Sequence, residues 1–147
     1  MKSEPDVYSI DDLARQGRSR WEGVRNFRAR NFMREMRIGD QVLFYHSSAD
    51  PSGVVGIATL VVEAYPDPFQ FDEKSDYFDP KSTKERPRWS AVDVEFVEKF
   101  PSVFSLLALK NDAALKDMLV VRKGQRLSVQ PVDKKHFDHV VRRARAP

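Results

Sequence analysis

Apolar side chains recur with the three-to-four-residue spacing of a helix in 26–37 and in 134–145, so both stretches predict helices that face a core. The stripe consists of Ala29, Phe32, Met33 and Met36 in the first helix, and of Phe137, Val140 and Val141 in the second. A shorter helix is predicted over 9–16, because Ser9 is suited to the N-cap and Asp12 stands in the capping-box position.

Other apolar runs predict strands. Residues 41–47 alternate, whereas 54–65 are apolar on both faces, which is typical of a central, covered strand. Turn-forming residues separate the two runs and predict a hairpin. Val42 and Phe44 share one face of the first run, and Leu43 and Tyr45 share the other. Further strands are expected at 91–100 and 126–131, and short helices at 105–110 and 112–118. Strands with helices between them predict an α+β fold built on a small barrel.

Residues 66–88 are irregular, acidic and aromatic. A loop of this length inside a compact domain is usually functional or disordered, and its aromatic residues argue against plain disorder. From 63 to 79 there are six acids and one lysine, so we expect this segment at the rim of any anion-binding surface, or against a protein.

The 147 residues form a chain of 17 kDa, a size that predicts a single domain over 1–147. No run approaches the roughly 18 apolar residues of a membrane span. The sequence contains no cysteine, which excludes disulfides and thiolate chemistry and fits a cytoplasmic protein.

A net charge of +3 decides little, but arginine is concentrated in one segment. Between 15 and 37 there are eight arginines and two glutamates. Because the guanidinium group binds phosphate in a bidentate manner and stacks on bases, this pattern favours a nucleic-acid partner over a merely solvated helix face. The predicted phosphate-binding residues are Arg20, Arg28, Arg30 and Arg34. On the helical wheel, Arg30, Arg34 and Arg37 point outward together.

No standard catalytic apparatus is recognisable in the sequence. It has no glycine-rich phosphate loop and no nucleophile elbow. His136 and His139 lie three residues apart on the predicted closing helix, but no third metal ligand is indicated. We therefore predict neither a metal nor another cofactor.

Aromatic residues in polar surroundings are more informative. Trp21 directly precedes the arginine-rich helix, Asn26 begins that helix, and 45–47 end a strand with Tyr-His-Ser. Taken singly, Trp21 is typical of a core, Asn26 of an N-cap, and the strand end of an exposed edge. Their order along the chain is what suggests a common site.

That order resembles the EVE domain, a family of the PUA-like superfamily. The matching stretches are Lys2-Ser3-Glu4-Pro5-Asp6, Tyr8-Ser9-Ile10-Asp11-Asp12-Leu13, Trp21-Glu22-Gly23-Val24-Arg25-Asn26-Phe27-Arg28-Ala29-Arg30-Asn31, Phe44-Tyr45-His46-Ser47, Gly53-Val54-Val55-Gly56-Ile57-Ala58, Ala64-Tyr65-Pro66-Asp67, Pro87-Arg88-Trp89-Ser90-Ala91-Val92-Asp93-Val94 and Arg126-Leu127-Ser128-Val129-Gln130-Pro131-Val132. They cover nearly the whole chain in the family's order.

The resemblance implies a PUA-like β-barrel with flanking helices and a reader of DNA that accommodates one flipped, modified base. By the same resemblance, Trp21 forms a wall of the pocket and Asn26 bonds a base edge. The other implied pocket residues are Lys2, Ser3, Val24, Arg25, Tyr45, His46 and Ser47, with Tyr77 of the long loop as the facing aromatic.

Three alternatives stay open at this point. Related ASCH domains resemble hydrolases of acylated nucleosides, and Lys2 with Glu4 could serve such chemistry. No activated nucleophile is evident, however, so we expect a binding protein rather than an enzyme. The second alternative is a PUA-like module that binds RNA, and the third is an adaptor that binds proteins through the acidic aromatic loop.

Overall fold

In a computed structural model, which describes residues 1–122, 124 and 126–146, the chain forms five strands and four α-helices, and the strand over 18–21 was not predicted from the sequence. The strands are β1 (Lys2–Ser3), β2 (Arg18–Trp21), β3 (Gln41–His46), β4 (Gly53–Pro66) and β5 (Ser90–Ser105). The α-helices are α1 (Ile10–Gln16), α2 (Phe27–Glu35), α3 (Leu106–Lys110) and α4 (Lys134–Arg145), and 3-10 turns lie at Pro68–Phe71, Ala113–Leu115 and Leu119–Val121. None of the helices in the described part of the chain is long and apolar enough to cross a membrane.

The strands form one sheet in the order β1-β3-β4-β5-β2, in which only the β1–β3 pair is parallel. The long strands β4 and β5 pair with several register shifts, and such bulges bend a sheet. The sheet curls so far that Trp21 of β2 meets Phe44 of β3 edge to face, with ring centroids 5.5 Å apart, although these strands are not neighbours. The α+β class and the PUA-like fold are confirmed, but the described ladder stays open between β1 and β2.

Both faces of the sheet are covered, as the pattern of β3 predicts. Val42 and Phe44 belong to an inner core with α1 and α2, whereas Leu43 and Tyr45 belong to an outer core with α3 and α4. The strand β4 is central and lies between β3 and β5, which confirms the prediction from its continuous apolar run.

The helices begin where their caps predict. The hydroxyl of Ser9 accepts from the N–H of Asp12, and the carboxylate of Asp12 accepts from the N–H of Ser9, so the capping box is complete. The helix α2 begins after Asn26, whose side chain accepts from the N–H of Ala29. In this helix Ala29 and Met33 are buried, which confirms the predicted inner stripe.

Two predicted elements are wrong. Residues 126–131 are not a strand, because β1 beside them has only two residues and makes a single backbone hydrogen bond there, from the N–H of Lys2 to the carbonyl of Ser128 (2.8 Å). Residues 112–118 contain only the turn Ala113–Leu115 instead of a helix. The strand predicted over 91–100 is longer and extends to Ser105.

The long loop over 66–88 is irregular, as predicted, but it is firmly attached. The buried side-chain amide of Gln70 donates to the carbonyls of Asp67 and Trp89 and accepts from the N–H groups of Arg88 and Trp89. The carboxylate of Asp79 accepts from the indole N–H of Trp89 at 2.7 Å. These side-chain bonds replace the missing backbone ladder and hold the loop against the start of β5.

Candidate functional site

A cavity of about 530 Å³ opens between the two edge strands of the curled sheet, and we call it the β1–β2 cavity. It is lined by Lys2, Ser3, Val7, Tyr8, Gln16, Ser19, Arg20, Trp21, Glu22, Gly23, Val24, Arg25 and Ser128. Its size lies within the usual range of small-ligand pockets, roughly 300–1,000 Å³. The structure thus brings together Lys2, Ser3, Trp21, Val24 and Arg25 of the predicted base pocket, and Arg20 of the predicted phosphate set.

Trp21 forms a rigid aromatic wall of this cavity. It ends β2, its side chain is 9% exposed, and its contact with Phe44 orients the ring from behind. A large aromatic surface that is held in place and still borders a cavity can stack on a planar ligand.

The opposite edge strand contributes polar groups. The hydroxyl of Ser3 donates to the carbonyl of Tyr8 at 2.6 Å and ties the loop after β1 to the strand. The Lys2 ammonium lies 5.6 Å from the Tyr45 ring centroid, and burial lowers the pKa of Lys2. A partly desolvated ammonium gains more from an anionic partner than one in bulk water does.

The turn after β2 is fastened to the long loop. Fully buried Asp67 accepts from the Gly23 N–H and from the Arg25 guanidinium, both at 2.9 Å. Gly23 has φ of 77°, and a Cβ placed there would lie 2.7 Å from the Tyr77 ring. Tyr77 therefore stands at the cavity rim against Gly23, where the guanidinium of Arg25 also donates to its carbonyl.

Asn26 and Tyr77 do not line the cavity. The side-chain oxygen of Asn26 is engaged as the N-cap of α2, and Tyr77 reaches only the rim.

The strand end over 45–47 does not line the β1–β2 cavity, although the Tyr45 ring lies against the Lys2 ammonium, so its place in the pocket stays a prediction. Tyr45 faces the outer core because strand side chains alternate. The Nε2 atom of His46 accepts from the N–H of Ile10 at 3.1 Å, and the N–H of Ser47 donates to the carbonyl of Ser3 at 3.0 Å. These hydrogen bonds support β1 and α1. Burial raises the pKa of Tyr45 and lowers that of His46.

The predicted phosphate-binding arginines divide into free and engaged groups. Arg28 is exposed, whereas Arg20 donates to the hydroxyl of Tyr65 at 3.1 Å. Arg30 does not simply point outward, since it donates to the carbonyl of Arg88 at 2.8 Å, and Arg34 donates to the hydroxyl of Ser90.

Arg30 and Arg34 form one surface with Phe27 and Arg88. The last two residues were not predicted from the sequence. Phe27 stacks on Trp89 with centroids 4.7 Å apart and planes 20° from parallel, and it is 46% exposed. The guanidinium carbons of Arg30 and Arg88 lie 4.7 and 5.2 Å from the Phe27 centroid. The alternation of arginine and aromatic residues around both positions was the available signal.

This surface carries a net positive charge, because Asp79 pairs with Arg88 but not with Arg30 or Arg34. Burial and the nearby guanidinium groups of Arg34 and Arg88 lower the pKa of Arg30. Like charges held this close favour a bound polyanion. No group of three His, Cys, Asp or Glu side chains suited to a metal occurs among the residues that the structure describes.

Comparisons with known proteins identify the family of the chain. The family model described as EVE domain matches residues 1–143. The chain is 44% identical to thymocyte nuclear protein 1 of Gallus gallus and 39% identical to that of Homo sapiens, over 96% of this chain in both cases. It spans 66% and 71% of those two proteins, or about two thirds of their length.

Solved structures show the same likeness. A crystal structure of a Pseudomonas putida protein has a TM-score of 0.95 at 49% identity and covers 99% of this chain and 97% of its own. A crystal structure of human THYN1 protein in complex with 5-methylcytosine containing DNA has a TM-score of 0.92 at 38% identity and covers 100% of this chain and 96% of its own.

Proposed function

The chain belongs to the EVE domain family, and from that premise we propose that it binds DNA that carries a modified base, with 5-methylcytosine as the first candidate. The modified base is held, flipped out of the helix, in the β1–β2 cavity. The observation that carries the proposal is the oriented Trp21 wall of a cavity whose lining is rich in cationic side chains.

The relative bound to DNA supports the choice of partner. That protein is similar to this chain over its whole length, and its structure contains DNA with 5-methylcytosine. The lining of the present cavity comes mainly from β1, β2 and the turn after β2, with Val7, Tyr8, Gln16 and Ser128 beside them, so the site lies where the two edge strands of the sheet meet.

The energies assign different roles to the cavity and to its surroundings. Extruding a base costs a few kcal/mol, and stacking on one aromatic ring returns roughly 1–3 kcal/mol. Stacking on Trp21 therefore nearly balances the extrusion, and the shape and polar groups of the cavity around the ring select the base. Phosphate contacts must supply the net affinity; Lys2 and Arg20 line the cavity, and Arg28 is exposed on α2, where each can make them.

The test is Trp21→Ala, with Trp21→Phe as the conservative variant. Fluorescence anisotropy would compare oligonucleotides that differ only in 5-methylcytosine and cytosine. We expect Trp21→Ala to abolish the preference for the modified base and Trp21→Phe to keep part of it. Phe100→Leu serves as the control, because Phe100 is also a buried aromatic residue but lies in the outer core and does not line the cavity.

Thermal unfolding of each variant shows whether a loss of base preference comes from the missing indole ring or from an unfolded protein. A folded Trp21→Ala protein that still discriminates the two oligonucleotides would contradict the proposal. The same panel, repeated with RNA of identical sequence, distinguishes a DNA reader from an RNA-binding module.

The family match favours binding over the hydrolase alternative. Lys2 lines the cavity, but Glu4 is exposed and is not among the lining residues. The pair therefore lacks the shared position that a general base and a substrate would need. Sustained deacetylation of N4-acetylcytidine by the protein would overturn this conclusion.

A further inference from the structure

The Phe27–Trp89 stack lies outside the β1–β2 cavity and presents one ring to solvent. Trp89 is 6% exposed, whereas Phe27 at the start of α2 is 46% exposed. The inner face of Phe27 is covered by the indole at a centroid distance of 4.7 Å. An exposed aromatic ring that stacks on a buried one is held in a fixed orientation, and its other face is available to a ligand.

The neighbouring guanidinium groups stand beside this stack rather than over its free face. Arg30 lies 4.7 Å from the Phe27 centroid and 6.0 Å from the Trp89 centroid, and Arg88 lies 5.2 and 5.8 Å from the same two points. A group over the outer face of Phe27 would be nearly twice as far from Trp89 as from Phe27. The measured distances to Trp89 are only about 1.3 and 1.1 times those to Phe27, so neither guanidinium covers the outer face of the 46% exposed Phe27 and both flank its edge.

Those cations are held in place by their own hydrogen bonds. Arg30 donates to the carbonyl of Arg88, and Arg88 is paired with Asp79 at 3.1 Å. Asp79 also fixes the indole N–H of Trp89. The aromatic stack and its flanking charges are thus one preorganised unit, and Asp79 neutralises only part of the charge of Arg30, Arg34 and Arg88.

A nucleotide has the chemistry that matches this unit, because it joins a planar base to an anionic phosphate. We propose that Phe27, Arg30 and Arg88 form a stacking platform for a second, unpaired nucleotide that flanks the one in the cavity. The proposal rests on the proposed function for its ligand. Arg25 connects the two places, since it lines the cavity and its guanidinium carbon lies 5.4 Å from the Trp89 centroid.

The experiment uses the full chain and two single-stranded DNA oligonucleotides with one 5-methylcytosine and the same number of phosphates. In one oligonucleotide the flanking nucleotides are normal, and in the other they are abasic. Stacking contributes roughly 1–3 kcal/mol per base, which corresponds to about 5- to 150-fold in Kd. We expect the wild-type protein to bind the abasic-flanked oligonucleotide more weakly by a factor in that range.

Phe27→Ala is expected to weaken binding of the normal oligonucleotide by the same factor and to leave binding of the abasic-flanked one unchanged. Phe27→Tyr, which keeps an aromatic ring, should keep the difference in affinity between the normal and the abasic-flanked oligonucleotide. Arg88→Gln should weaken both equally and reduce the slope of log Kd against log salt by about 0.7. Phe78→Ala is the matched control, because Phe78 is also an exposed aromatic (36%) but forms no part of the stack.

Equal losses for both oligonucleotides in Phe27→Ala, or no loss for either, would overturn the platform. The failure of the proposed function has a different signature. In that case the wild-type protein would bind 5-methylcytosine and cytosine alike, while the abasic penalty and its dependence on Phe27 would persist.

Discussion

Two cavities of nearly equal volume lie on this small domain, and their linings are opposite in character. The second cavity, which we call the β3–α4 cavity, measures about 560 Å³, against about 530 Å³ for the β1–β2 cavity. It is lined by Met1, Phe32, Glu35, Met36, Gly39, Asp40, Gln41, Val42, Leu43, Val129, Gln130, Pro131, Val132, Lys134, Phe137 and Asp138. Size alone does not distinguish the two.

Charge does. The charged side chains of the β1–β2 cavity are Lys2, Arg20, Arg25 and Glu22, whereas those of the β3–α4 cavity are Glu35, Asp40, Asp138 and Lys134. The first lining is net positive and the second is net negative, while each contains two aromatic residues. Phosphate backbones are attracted to the first and repelled by the second.

The largest expected effect comes from the carboxylate beneath the first cavity. Asp67→Ala removes the buried acceptor of the Gly23 N–H and leaves Arg25 without its ion pair. Breaking a buried pair on one side costs about 3 kcal/mol of unfolding free energy, which denaturant titration would measure. Asp76→Ala, an exposed acid of the same loop, should change stability by less than about 0.5 kcal/mol. Equal stabilities of the two variants would contradict the structural role of Asp67.

Replacing one lysine in each cavity by alanine compares the contributions of the two cavities to DNA binding. Lys2→Ala should weaken DNA binding on the order of tenfold, since hydrogen bonds to charged groups contribute about 1.5–3 kcal/mol. Lys134→Ala removes the same charge from the β3–α4 cavity and should leave the affinity unchanged. Anisotropy titrations at two salt concentrations check both. If Lys134→Ala weakened binding as strongly, DNA would have to reach the acidic cavity as well.

A low pH should weaken the attachment of α4, the helix that lines part of the β3–α4 cavity, and so lower the free energy of unfolding. Hydrogen bonds from Arg143 (2.6 Å) and His139 (2.7 Å) of α4 lower the pKa of Asp112 from 3.8 to about 2. Because the folded-state pKa is depressed, this stabilisation is present above pH about 4 and is lost as the pH falls through about 2.

The stability difference between wild type and Asp112→Asn, about 1 kcal/mol near neutral pH, should therefore shrink to nothing at the acid end. Urea titrations between those pH values measure it, with Asp117→Asn as an exposed control. A difference that stays constant with pH would mean that Asp112 is not held in its ionised form by α4.

The smallest effect concerns Asn26. Asn26→Asp keeps the oxygen that caps α2 but removes the amide donor, so stability should change by less than about 0.5 kcal/mol. Because Asn26 does not line the β1–β2 cavity, the ratio of affinities for modified and unmodified DNA should also be unchanged. A change in that ratio would restore Asn26 to the base-contacting role that the family resemblance implied.

Local signals in the sequence predicted the parts of the fold that depend on local interactions. The Ser9 cap and the alternation of β3 are examples, because each depends on residues close together in the chain. The strand predicted over 126–131 failed, since a strand needs a partner and β1 offers only two residues. Alternation over six residues carries no information about the partner.

For the candidate site, the family resemblance implied Trp21 and Arg25, which stand in one short motif and both line the β1–β2 cavity. Their contact with a base stays a prediction. The helical wheel placed Arg30 outward but could not show that Arg88, 58 residues further on, lies against it. The hydrogen bonds of Gln70 to Trp89 likewise span 19 residues, so the composition of the loop could not predict that the loop is attached to β5.

Gly23 limits how the base preference of such a domain could be re-engineered. Its positive φ, its bond to Asp67 and the ring of Tyr77 at 2.7 Å from a would-be Cβ leave no room for a side chain. A library that randomises the whole β2–α2 turn would consist mostly of misfolded members. Diversity is better placed at Ser19 and Ser128, which border the same cavity. Changes in base preference should therefore come from substitutions in the cavity lining, with Gly23 left unchanged.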